Sequence, residues 1–198
     1  MANKKPLTKK RKERLELKAK QEKQRKRNII IISVAVLVLL IAGIIGIVAA
    51  VNYEKPAPEY VAEIQLKGVG TLKVELDSKN APKAVGKFVE LAEKGIYNGT
   101  SFYQLLGGKL YGGDKNAKVA HILGEFDNGL TNETGVISMA KSSSSSVNPA
   151  LFFINLKDNK AYDKETVEFG KVVEGLNLII GVKEDAMPTI EKVIITEK

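Results

Sequence analysis

The chain has 198 residues with 31 Lys+Arg, 23 Asp+Glu, a formal net charge of +8 and no cysteine. The missing cysteines exclude disulfides, thiolate chemistry and cysteine-based metal sites. The charge is also uneven: residues 1–28 hold 13 Lys+Arg and 3 Asp+Glu, whereas the chain beyond Val51 holds 18 and 20, so that larger part is no nucleic-acid binder by charge.

Residues 1–28 form a basic tail ending in Arg25, Lys26 and Arg27. An excess of Lys and Arg beside an apolar span marks the cytoplasmic flank, and such a cluster attracts anionic lipid. Residues 29–51 follow with no charge, no proline and one hydroxyl, Ser33. As a helix they reach about 34 Å, enough to cross a hydrocarbon core of about 30 Å. In lipid a single segment satisfies its own backbone only as a helix. A transmembrane signal-anchor is therefore expected at 29–51, with the N-terminus cytoplasmic and the rest extracytoplasmic. Val48-Ala49-Ala50 resembles a signal cleavage site, but the apolar run exceeds the 7–15 residues usual for signal peptides.

Residues 52–59 contain Pro56 and Pro58 and are expected to form a short, stiff linker. A domain is expected over 60–198, a length that buries a sizeable core. It opens with strands over VAEIQLK and TLKVELD around a Gly68–Gly70 turn, the second alternating apolar and polar. Asn80 is expected to cap a helix with Pro82 in its first turn and Val85, Phe88, Val89 and Ala92 on one face, stopped at Gly95. Further strands are expected at 101–106, 136–140, 151–156, 168–173 and 189–197, and a second helix at 176–182. Ser142–Ser146 reads as an exposed loop. Mostly β with two helices, this pattern predicts a closed barrel with its ends covered.

The single histidine, His121, has no evident partner and reads as a surface residue. Asp114 follows Gly112 and Gly113 and reads as turn chemistry. GGKLYGG lacks the ending of a phosphate loop.

GTLKVELDSKNAPKAVGKFVELAEKGIYNGTSFYQ, then YGGD at 111–114, GVISMA at 135–140, LFFIN at 151–155 and EFGKVVEGLNLI at 168–179 come in an order and spacing that resemble the cyclophilin family of peptidyl-prolyl isomerases. The resemblance implies an eight-stranded barrel with two helices, no cofactor, and Xaa-Pro segments as substrates, here those of exported proteins. It also implies a site. Gln104 stands at the family's arginine, in Phe102-Tyr103-Gln104, and Phe153 at the pocket-floor phenylalanine. Around them the resemblance places Phe102, Leu110 (or Lys109) where a pocket phenylalanine is lost, Tyr111 at a glutamine, Ala140, Lys141, Leu151 at another glutamine, Tyr162, and Thr166 at a histidine. Most of these differ from the family's residues. Two functions follow: a slowed, membrane-anchored isomerase, or a binding module that holds extended segments without useful catalysis. The asparagine sequons at 98–100 and 132–134 matter only in a secretory lumen; a bacterial plasma membrane is the expected home.

Overall fold

The computed structural model describes residues 9–51 and 57–198. They form two compact units, divided at residues 55 and 56. The expected tail and linker therefore lie in part, at residues 1–8 and 52–56, outside the described residues.

The first unit is one helix, α1, Lys9–Val51. It carries the basic tail without a break into the apolar run. Within it Glu16–Gly43 is long and apolar enough to cross a membrane by length and composition. The large apolar side chains of that stretch, such as Ile30, Leu39 and Leu40, are exposed.

The second unit is built from ten strands and one α-helix: β1 (Tyr60–Leu66), β2 (Gly70–Leu76), α2 (Pro82–Glu93), β3 (Gln104–Leu106), β4 (Lys109–Gly113), β5 (Ile122–Leu123), β6 (Val136–Ala140), β7 (Ser146–Val147), β8 (Leu151–Asn155), β9 (Thr166–Glu174) and β10 (Ile190–Glu197). Eight of them make one antiparallel sheet in the order β10-β1-β2-β9-β6-β8-β4-β3. Its two edges meet just before β3 and β10. There Ser101 bridges Thr189, and the Phe102 N–H donates to the Pro188 carbonyl at 3.0 Å. This seam is a short bridge rather than a full ladder. β5 and β7 pair separately.

Period-two alternation turns Ala62, Ile64, Leu66, Leu72, Val74 and Leu76 inward. The inner face of α2 supplies Val85, Phe88 and Val89 to the same core. Phe88 stacks on Tyr97 at 4.9 Å between centroids and meets Phe152 and Phe169 at 5.8 and 5.2 Å. The buried Tyr97 hydroxyl donates to the Pro149 carbonyl at 2.7 Å, and burial pushes its pKa up.

Three local expectations change. Asn80 does not cap α2: Ala81 occupies the cap position without a side-chain bond, while Asn80 donates to Asp77. The cap comes from afar, because the Glu125 carboxylate accepts the Lys83 and Ala84 N–H groups at 3.1 and 3.0 Å. The second helix is a single 3-10 turn, Leu176–Leu178. β4 is a strand that includes Gly112 and Gly113, which read as turn chemistry before Asp114. Those glycines let neighbours in. A Cβ on Gly113, which sits at φ 101°, would lie 2.1 Å from the Ala150 carbonyl oxygen, and one on Gly112 would lie 2.9 Å from the Phe102 ring.

Candidate active site

One row of side chains crosses the sheet on the face turned away from the core. The ladders set Gln104 opposite Tyr111, Tyr111 opposite Phe153, Phe153 opposite Ser138, and Ser138 opposite Glu168. Directly opposed residues share a face, so these five side chains project together. A second row sets Leu106 opposite Lys109 and Lys109 opposite Asn155.

Two expected site residues are turned toward the core instead. Leu110 and Phe102 are fully buried members of the core. Leu110 is flanked by Lys109 and Tyr111 and must point the opposite way from both. Phe102 packs edge-on against the core residue Phe152 at 6.0 Å. Of the two residues offered for the lost pocket phenylalanine, Lys109 is the one on this outer face. Alternation back from Tyr111 gives this assignment from the sequence alone.

Gln104 is exposed, and its side-chain amide has no hydrogen-bond partner among the described residues. Tyr111 is half-buried, its ring 5.3 Å from that of Phe153 and 6.4 Å from that of Tyr103. Burial raises the Tyr103 pKa, with a smaller contribution from Tyr111. Phe153 is 1% exposed yet stands outside the core cluster. It is the apolar floor of this outer layer. Leu151, half-buried and opposite Gly113, shares its face. Tyr162 ends a 3-10 turn, Lys160–Tyr162, and is 43% exposed.

Lys109 lies among these rings. Its Nζ is 3.3 Å from the centre of the Tyr162 ring, 5.4 Å from Phe153 and 5.9 Å from Tyr111, and the residue is only 6% exposed. It forms no ion pair with any carboxylate among the described residues. The faces of aromatic rings attract a cation by about 0.5–2 kcal/mol, but they accept no conventional hydrogen bonds from it.

Beside the floor lies a buried polar network absent from the sequence-based expectations. Asn132, reaching in from the loop before β6, donates through Nδ2 to Thr166 Oγ1 at 2.8 Å and to Glu168 Oε1. Its backbone N–H donates to Asp163 at 2.8 Å. Its carbonyl oxygen accepts from Ser138 and Asn155 at 3.2 and 3.0 Å. Thr166 donates to Glu168 Oε1 at 2.5 Å. Glu168 is wholly buried and its Oε2 has no partner. Burial therefore raises its pKa, against the lowering bonds from Thr166, its own backbone and Asn132.

The remaining expected residues lie at the rim. Thr166 is buried in the network and opposes the exposed Ala140. Lys141 is engaged by Glu165 at 2.6 Å and lies over the Phe126 ring at 4.8 Å. His121 has a partner that its sequence context did not suggest: Ser142 Oγ is 3.0 Å from its Nδ1. Ser142 also contacts the Ser146 carbonyl at 3.0 Å, so this pair belongs to the exposed serine loop rather than to the aromatic floor.

An apolar floor with a free amide donor at its edge suits binding and twisting a peptide bond. The comparisons agree. The chain is 36% identical over 121 residues to "Peptidyl-prolyl cis-trans isomerase A" of Dickeya dadantii, covering 55% of this chain and spanning 64% of that protein. It is 31% identical over 130 residues to "Peptidyl-prolyl cis-trans isomerase cyp18" of Streptomyces antibioticus, covering 58% of this chain and 78% of that protein. A Cryptosporidium parvum cyclophilin-type isomerase superposes with a TM-score of 0.63 at 24% identity, over 71% of this chain and 99% of that one. The same protein was also solved in the presence of the dipeptide Ala-Pro, and there the TM-score is 0.61 at 25% identity, over 70% of this chain and 99% of that one. The family model for "Cyclophilin type peptidyl-prolyl cis-trans isomerase/CLD" matches residues 61–197, and the chain belongs to that family.

Proposed function

We propose that this protein is a membrane-anchored, extracytoplasmic peptidyl-prolyl isomerase with lowered catalytic power, acting on Xaa-Pro segments of exported polypeptides. The observation that carries this reading is the row Gln104–Tyr111–Phe153 on the outer face of the sheet. Rotation about a peptide bond is opposed by about 18–20 kcal/mol of lost resonance. A site lowers that barrier by holding the twisted form better than either planar form. Phe153 gives the prolyl ring an apolar platform. Gln104 offers an amide N–H to the prolyl nitrogen or a neighbouring carbonyl as resonance is lost. Such a neutral bond is worth about 1 kcal/mol, against about 1.5–3 for a charge-assisted one. At about 1.4 kcal/mol per tenfold, that difference makes a site without the family's arginine slower by about two- to thirtyfold.

Membrane attachment rests on α1, in which the basic tail runs straight into the apolar stretch. Its Lys and Arg flank favours a cytoplasmic N-terminus, with anionic headgroups as partners for the last basic turns. The domain would then stand beside chains emerging on the far side.

A second reading, a module that binds extended segments without useful catalysis, is favoured by Lys109, which sits over the Phe153 ring. One experiment separates the two. The full chain in detergent micelles is mixed with an Ala-Pro-containing tetrapeptide, and cis/trans exchange is followed by NMR. Acceleration that disappears in Phe153→Ala supports the isomerase. Binding without acceleration supports the module, and absence of both overturns the site.

A further inference from the structure

The Lys109 ammonium is held within the aromatic part of the site. Tyr162 covers it at 3.3 Å, with Phe153 at 5.4 Å and Tyr111 at 5.9 Å. The side chain is almost wholly withdrawn from solvent. A buried ammonium is ordinarily matched by a carboxylate, because its desolvation is otherwise poorly offset. Here none of the described carboxylates serves. Asp163, next to Tyr162, accepts the Asn132 N–H. Glu168 is bound by Asn132 and Thr166. Glu165, on the rim, is taken by Lys141. The rings hold the cation in place and leave its N–H donors without acceptors among the described residues.

We propose that Lys109 determines specificity in this pocket, selecting segments that carry a carboxylate beside the proline, either an acidic side chain or a terminal carboxylate. The proposal rests on the isomerase or peptide-binding reading above and adds a substrate class to it. A prolyl ring reaching Phe153 has to share the platform with the Lys109 ammonium. A ligand carboxylate draws that ammonium toward itself and completes the missing half of the ion pair as the ring settles. A neutral or basic segment must displace the same cation and gains nothing in return. Selection therefore operates partly through the difficulty of the wrong ligand.

The test uses the full chain in detergent micelles and three tetrapeptides alike except for Glu, Gln or Lys next to proline, with binding measured by calorimetry and exchange by NMR. The Glu peptide is expected to bind about tenfold more tightly than its Gln counterpart, the difference between a charge-assisted and a neutral bond. The Lys peptide is expected to bind most weakly, and the preference to shrink as salt is raised. In Lys109→Met, similar in length but uncharged, the Glu and Gln peptides are expected to bind alike. Equal binding of both peptides by the unaltered protein overturns the proposal and needs no variant. So does a Glu preference that survives Lys109→Met. If Lys109→Met strengthens binding of all three equally, Lys109 is a plug and not a selector. Loss of specificity with the Gln peptide still bound leaves the parent reading intact, whereas failure of every peptide to bind overturns both.

Discussion

Gln104 and Tyr111 stand directly opposite one another across the β3–β4 ladder, on the face that also carries Phe153. The donor position is thus at the open end of an aromatic row, and Gln104 is exposed with an uncommitted amide. Replacing it tests how much of the proposed catalytic deficit is charge. Gln104→Arg is expected to raise kcat/KM on an Ala-Pro tetrapeptide by about two- to thirtyfold, since a cationic donor strengthens as the prolyl nitrogen loses resonance. Gln104→Ala is expected to lower it. An unchanged rate in Gln104→Arg, read in the same NMR exchange assay, would mean that the platform and not the donor limits catalysis.

The buried carboxyl of Glu168 gives a pH signature. Burial raises its pKa in the folded protein, so the folded state holds the proton more tightly than the unfolded chain does. The stability contributed is fully present below the ordinary carboxylate range and lost as pH rises through the folded value. Glu168→Gln keeps the acceptor for Asn132 and Thr166 and removes the charge. Its melting temperature is expected to exceed that of the unaltered protein by about 3 °C near pH 7.5, and the gap to close as pH falls toward about 4.5. A gap independent of pH would show that the Glu168 pKa is not raised on folding and would overturn this reading.

The arrangement of the fold was largely readable from the residues, and the reason is periodicity. Alternation in TLKVELD and in VAEIQLK, and the apolar face at Val85, Phe88, Val89 and Ala92, fix each element against the core without reference to the rest of the chain. The site was less readable because it depends on pairings between distant segments. Leu110 was expected in the pocket and is core. Lys109, the other residue offered for that place, lies on the outer face because β4 is a strand and its register against β8 puts Lys109 beside Asn155. Two glycines hid that strand. The network around Asn132 was invisible for a related reason: its partners lie 6 to 36 residues along the chain, and a lone asparagine in a loop carries no pattern.

The cap of α2 is another contact of that kind and makes a stability prediction. Glu125 holds the Lys83 and Ala84 N–H groups, and an acidic group at a helix N-terminus also meets the favourable end of its dipole. Glu125→Ala is expected to cost about 1 kcal/mol, as loss of a helix cap usually does. In a domain of this size that lowers the melting temperature by about 3 °C. Asn80→Ala, which removes only an exposed bond to Asp77, is expected to cost less. The reverse ranking in thermal melts would restore Asn80 as the stronger determinant.

The absence of cysteine makes the proposed topology testable without a background signal. Single substitutions Lys10→Cys, in the basic part of α1, and Lys198→Cys, at the end of β10, each create one thiol. In intact bacterial cells whose outer barrier passes small reagents, a membrane-impermeant maleimide is expected to label Lys198→Cys at once and Lys10→Cys only after the plasma membrane is opened. The physical ground is the flank: Arg25, Lys26 and Arg27 at one end of an apolar run resist transfer across the bilayer. Exchanging those three for Gln is expected to weaken the bias and let some chains insert the other way. Equal labelling of both positions in intact cells would place both ends on one side. The apolar half of α1 would then not span a bilayer, and the isomerase would have to be sought among proteins of its own compartment.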